Sequence, residues 1–135
     1  MKLIFFLLLL TFFAAVTNSE LFAADRSAEV EVINKSKIDL WLSSYVLKKG
    51  AWEKTPPVNI GPKSKGQWKS KSNRILTGTE GGTTYKCDQD KFGFYWYVPY
   101  YGANVYNSSC PKKYECSCKG GEGSNAKVTF TISEI

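Results

Sequence analysis

The most reactive side chains in this sequence are four cysteines, Cys87, Cys110, Cys116 and Cys118, and the chain contains no histidine. Without histidine there is no Ser-His-Asp or Cys-His catalytic set. An even number of cysteines in a small exported chain reads as two disulfides. Cys116 and Cys118 are two residues apart, so in a strand they face the same way and cannot easily pair with each other. Each is expected to take one of Cys87 and Cys110, and the spacing leaves open which takes which. The competing chemistry is a metal site, but the absence of histidine and an oxidising compartment both argue against zinc. Asp88 and Asp90 flank a turn and read as loop solvation, with nothing to suggest the two opposed carboxylates a glycosidase needs. The glycine-rich Gly78–Gly82 segment, GTEGG, lacks the GxxxxGK[ST] pattern and a following helix, so it is no phosphate-binding loop. These residues predict no enzyme, no metal and no cofactor.

Binding chemistry remains, in two stretches. In PKSKGQWKSKSN, residues 62–73, Lys63, Lys65, Lys69 and Lys71 share odd positions while Trp68 takes an even one. In a strand the four lysines line one face and Trp68 points into the core. Such a strip serves either as a solvated edge protected from aggregation or as a cationic surface for phosphate headgroups. In FGFYWYVPYYGANVY, residues 92–106, the even positions Phe92, Phe94, Trp96 and Val98 read as core. Tyr95 and Tyr97 then face outward. Pro99 ends the strand, and Tyr100 and Tyr101 follow in a loop. An exposed cluster of four tyrosines, each with an apolar body and a polar tip, signals a binding surface. It suits the headgroup level of a bilayer, and protein or glycan surfaces equally. Two sequons, at Asn34 and Asn107, offer glycosylation sites.

The elements that must position these residues are strands. Period-two alternation runs through Ala28–Ile33, with Val30 and Val32 inward and Glu29 and Glu31 outward. It recurs at Ile38, Leu40 and Leu42 against Asp39, Trp41 and Ser43, and again at Val128, Phe130 and Ile132. Gly, Pro and Asn punctuate the runs, and no helical period is sustained. About eight or nine short strands predict an all-β, compact antiparallel β-sandwich, stapled by disulfides and wet on one face of each sheet. Ahead of it, Lys2 and the apolar run Leu3–Phe13 are too short to span a bilayer, which takes roughly 20 residues. They fit a secretory signal peptide cleaved after Ser19, with Thr17 and Ser19 at −3 and −1. The expected organisation is therefore residues 1–19 signal peptide, 20–27 an extension, and 28–135 one domain, secreted to the extracellular space. A net charge of +6 directs such a domain toward anionic or zwitterionic surfaces.

The order of segments resembles the aegerolysin family. The residues that carry it are Val32-Ile33-Asn34-Lys35, Trp52 to Pro57, Leu76 to Tyr85, the aromatic strand with Pro99 and Asn104, Gly120-Gly121, and the closing Val128 to Ile132. In detail they are most similar to the small component of bacterial binary insecticidal crystal toxins, a branch of that family. The resemblance covers roughly Ala28 to Ile132. It implies a β-sandwich without enzymatic activity that recognises membrane lipids, sphingolipid-type headgroups among them. It also implies cytolytic pore formation together with a larger pore-forming partner protein, peripheral association with target membranes, and no nucleic acid. Glu80 is the residue it assigns to headgroup choice, and Trp52, Trp96, Tyr97, Tyr100 and Tyr101 are its aromatic membrane contacts. Trp96 is thus claimed by both the core and the membrane. The signal peptide and the cysteine-bearing stretch Asn107–Cys118 depart from the family's pattern.

Overall fold

A computed structural model describes residues 26–135. The signal-peptide reading and most of the 20–27 extension lie outside the described residues. Among those residues there are ten strands and no helix. In order they are β1 (Ser27–Asn34), β2 (Leu40–Lys49), β3 (Ala51–Lys54), β4 (Asn59–Ile60), β5 (Ser64–Lys71), β6 (Thr79–Cys87), β7 (Asp90–Val98), β8 (Val105–Ser109), β9 (Tyr114–Gly120) and β10 (Asn125–Glu134). They form two five-stranded sheets, β3-β5-β1-β10-β9 and β4-β2-β6-β7-β8. The expected all-β sandwich is what forms, with short β3 and β4 raising the number of strands to ten.

One pairing departs from the antiparallel expectation. β1 runs parallel to β10, with Ser27 opposite Asn125 and Asn34 opposite Ile132. Nearly the whole domain serves as their connection, and a parallel pair requires a long crossover of that kind. β5 flanks β1 on its other side, antiparallel.

The alternation read from the sequence builds the core. Val30 and Val32 from β1, Trp68 from β5, and Val128, Phe130 and Ile132 from β10 are fully buried on the inner face of the first sheet. Tyr85, Phe92, Phe94, Trp96 and Val98 meet them from the second sheet. Aromatic rings thread this core: Trp68 lies 6.0 Å from Tyr85 and 5.9 Å from Trp96, and Phe94 lies 5.0 Å from Phe130, centroid to centroid. The Tyr85 hydroxyl, the one polar point of its ring, donates to Pro57 O at 2.7 Å.

Two expectations about side chains fail here. Asn34 is fully buried, and its amide donates to Ile38 O at 2.9 Å and Gly61 O at 3.0 Å, while its Oδ1 accepts from Ser36 N and Ser36 Oγ. It holds the β1–β2 turn against the β4–β5 connection and leaves no room for a glycan. The two-disulfide expectation is also corrected. Cys110 and Cys116 are joined, with their Cα atoms 6.0 Å apart, and Cys87 and Cys118 are free thiols. The physical reason is position: Cys87 ends β6 opposite Asp90, whereas Cys118 lies opposite Phe130 in the other sheet. Asn107, the second sequon, is exposed.

Candidate functional site

At one end of the sandwich the chain turns from β2 to β3 at Gly50, from β5 to β6 through residues 72–78, and from β7 to β8 through residues 99–104. Gly50 has φ +102°, and a side chain there would run into Lys71 O and Thr79 Oγ1. Gly78 is required for a different reason. A Cβ on it would sit 2.1 Å from Val98 O and 2.7 Å from Pro99 Cα. This bare backbone lets the β5–β6 and β7–β8 loops lie directly against each other.

The merged loops expose an apolar tip. Ile75 and Leu76 are each 60% exposed and Tyr101 is 79% exposed. Leu76 adopts φ +62°, a left-handed backbone that costs an L-residue roughly 1–2 kcal/mol. Leu76, Tyr97, Pro99, Tyr100, Tyr101 and Lys49 line a shallow groove of about 410 Å³ between the loops. Tyr100 and Tyr101 meet edge to face, 4.6 Å between centroids.

Cations surround this tip. The Arg26 guanidinium sits 4.4 Å over the Tyr100 ring and donates to Tyr100 O at 3.3 Å. Lys49 Nζ lies 5.0 Å from the centroid of the Tyr97 ring and donates to its hydroxyl at 3.1 Å. That hydrogen bond, and then Tyr97 and Glu80 electrostatically, raise the Lys49 pKa. Lys48 and Arg74 complete the set beside Asn73 and Thr77.

Glu80 stands one step below the tip, in cross-strand pairs with Lys49 and Tyr97. It is 8% exposed, and Tyr95 donates a hydrogen bond to its Oε2. Burial, and then this carboxylate, push the Tyr95 phenol up to about 12.

The sequence-derived candidates therefore separate. Tyr97, Tyr100 and Tyr101 gather at the loop end. Tyr95 and Glu80 are close below, half-buried and buried. Trp52 is half-buried on β3, its ring 5.7 Å from Tyr45 and 5.9 Å from Trp96. Trp96 is fully buried, which removes it from direct contact with any surface. Its alternation with Phe92, Phe94 and Val98 settles the conflict in favour of the core.

Lys65, Lys69 and Lys71 of the lysine strip lie on the outer face of β5, which is an edge only over the half that β3 leaves uncovered, and the strip is not a bare row of charge. β3 covers Lys69 and Lys71 on one side. Lys69 forms a 3.1 Å ion pair with Glu53 and lies opposite Glu29 in β1. Gln67 donates to Glu31 at 2.8 Å and, with Lys127 and Lys65 nearby, holds the Glu31 carboxyl below its ordinary range despite burial. Lys63 turns away and donates to Lys35 O at 2.6 Å.

Sequence reasoning missed Ile75, Leu76, Lys49 and Arg74. The available signal was an Ile-Leu pair inside the polar, glycine-closed stretch Ser72–Gly78, where no core-facing period would bury it.

No protein family's sequence profile matches this chain, and no curated protein does. Solved structures do match. One is the crystal structure of IP-1A from Alcaligenes faecalis, 17% identical, with a TM-score of 0.72, covering 87% of this chain and 96% of that one. Another is the crystal structure of the lipid binding protein Nakanori, 14% identical, with a TM-score of 0.72, covering 89% of this chain and 76% of that one. The chain shares their fold.

Proposed function

We propose that this chain is a secreted, non-enzymatic membrane-lipid-binding protein of toxin-like kind, a divergent aegerolysin. It inserts the loop end of the sandwich into the headgroup region of a bilayer. The observation that carries this reading is the exposure of Ile75, Leu76 and Tyr101 together inside a ring of cations. Consecutive large apolar side chains on a strained loop have no folding benefit to offset them. Burying each in an apolar phase yields on the order of 1.5–3 kcal/mol, and each cation near an anionic surface adds about 1 kcal/mol. The fold shared with a lipid binding protein supports the reading. The apolar run near the N-terminus and the Cys110–Cys116 disulfide support secretion.

The sequence resemblance extends the proposal to sphingolipid-type headgroups and to a larger pore-forming partner protein. Glu80 would then act on headgroup choice indirectly, by fixing Tyr95 and biasing Lys49, because its own carboxylate is buried. Cosedimentation with vesicles, with and without sphingolipid, tests the reading. Ile75→Ser with Leu76→Ser should keep the fold and lose most vesicle binding. Unchanged binding by this variant would remove the loop end from the mechanism.

A second reading, adhesion or lectin-like recognition, has one observation in its favour. Gly82 and Gly93 open a trough of about 300 Å³ on the outer face of the second sheet, bordered by Ser44, Thr84, Tyr95, Asn107 and Ser109. Hydroxyls and an amide around an aromatic wall suit a sugar. Binding on a glycan array, with no vesicle binding, would favour this reading.

A further inference from the structure

Beside the apolar tip, the β2–β3 hairpin and the β5–β6 loop enclose a cleft of about 230 Å³ lined by Lys48, Lys49, Gly50, Asn73, Arg74 and Thr77. Three basic residues, an amide and a hydroxyl line it, and no carboxylate does. The Lys49 ammonium is engaged by Tyr97, which leaves Lys48 and Arg74 as the cations for the cleft. Among the described residues neither Lys48 nor Arg74 has an ion-pair partner. Like charges held together without an acid are unfavourable unless an anion joins them, and ammonium and guanidinium groups are phosphate's usual partners. Ile75 adjoins Arg74 in sequence, so a tip inserted to the depth of Ile75 and Leu76 carries this cleft to the level of the lipid phosphates.

The aromatic rings nearby limit which phosphates fit. Recognition of a quaternary ammonium requires open aromatic faces. Here Lys49 occupies Tyr97, Arg26 occupies Tyr100, and Tyr100 meets Tyr101 edge to face. The chain's own cations fill the positions a choline group would take at Tyr97 and Tyr100, and the exposed Tyr101 ring alone makes no aromatic cage.

We propose that the cleft at Lys48, Asn73 and Arg74 binds the phosphate of an anionic lipid headgroup that carries no quaternary ammonium. This rests on the membrane-binding reading and narrows it to a headgroup class, which excludes the choline-bearing members of the sphingolipid-type headgroups.

The experiment compares the mature protein on phosphatidylcholine vesicles containing phosphatidic acid with its binding to phosphatidylcholine–sphingomyelin vesicles. It uses Lys48→Gln with Arg74→Gln, and a control, Lys35→Gln with Lys112→Gln, which removes equal charge from two exposed lysines outside the loop end. The unsubstituted protein should prefer phosphatidic acid. The cleft variant should lose about thirtyfold in affinity for those vesicles, as two cations near the surface imply, and the control should lose much less. Equal losses in the two variants, or equal binding to both vesicle types that ignores the cleft variant, would overturn the headgroup assignment and leave membrane binding standing. Inorganic phosphate separates the sources. Weak displacement by it supports a lipid-borne phosphate, and Arg74-dependent binding as tight as to vesicles would overturn the lipid assignment. Binding to no vesicle of any composition would bring down the membrane reading and this proposal with it.

Discussion

The indole Nε1 of Trp96 donates a 2.9 Å hydrogen bond to Ser70 Oγ, linking the inner faces of the two sheets. Thr79 Oγ1 reaches the same hydroxyl at 2.7 Å. All three residues are fully buried. Ser70 is thus the polar pin on which the loop end is mounted. Ser70→Ala should leave the Trp96 N–H without its partner and cost about 1–3 kcal/mol, a sizeable share of the 5–15 kcal/mol typical of a domain. Thermal unfolding checks this. Vesicle binding by the folded variant should be unchanged, and a specific loss of binding at full stability would restore Trp96 as a membrane contact.

Leu76 should show stability and function in opposition. Asparagine tolerates the left-handed backbone that leucine holds at φ +62°. Leu76→Asn should therefore stabilise the domain by up to about 1 kcal/mol while weakening vesicle binding through the lost apolar side chain. A variant that is both less stable and equally bound would contradict the assignment of Leu76 to the bilayer.

Tyr95 should make stability depend on alkaline pH. Its phenol ionises at about 12 in the folded chain, against about 10 when unfolded. Between these values the folded state holds a proton that the unfolded state releases. The contribution is complete below pH 10 and is lost as pH rises through the folded value. Melting temperatures of Tyr95→Phe should fall less than those of the unsubstituted protein over this interval, and parallel curves would show that the phenol does not couple to folding.

Much of this fold can be read from alternation, because burial on one face of a sheet acts residue by residue. The inward sets on β1, β7 and β10, and Trp68 within the lysine strand, follow from spacing alone. Pairing across the sandwich is not local. The β1–β10 parallel ladder and the separation of Cys87 from Cys118 depend on strand order, which spacing does not encode. Asn34 looked like a surface sequon because polar side chains usually face water. Here backbone carbonyls at a crowded turn take that role. At the site, the tyrosines after Pro99 were legible as loop residues, whereas Ile75 and Leu76 were not, since isolated apolar residues normally indicate core.

The thiols give a chemical check on that topology. Alkylation of the denatured, unreduced protein should label two cysteines, Cys87 and Cys118. Labelling of the folded protein at neutral pH should be slower at Cys87, where burial and then Asp88 and Asp90 raise the thiol, than at the exposed Cys118. Reducing the Cys110–Cys116 bridge, which closes a short loop, should cost about 2 kcal/mol. A mass spectrum with no labelled cysteine would show that Cys87 and Cys118 also pair.

The parallel ladder between the first and last strands sets the order in which the chain can complete itself. β2, β6, β7 and β8 follow antiparallel neighbours with modest separations in sequence, so their sheet can assemble while synthesis continues. The other sheet has a gap between β1 and β9 until Asn125–Glu134 has emerged, because β10 alone joins β9 to β1. Val128, Phe130 and Ile132 then arrive together as the final layer of the core. Such non-local closure is slow, in the millisecond-to-second range typical of all-β domains. An incomplete chain therefore has one sheet formed and the other open, with the core uncovered on that side, and the last ten-residue strand acts as the latch.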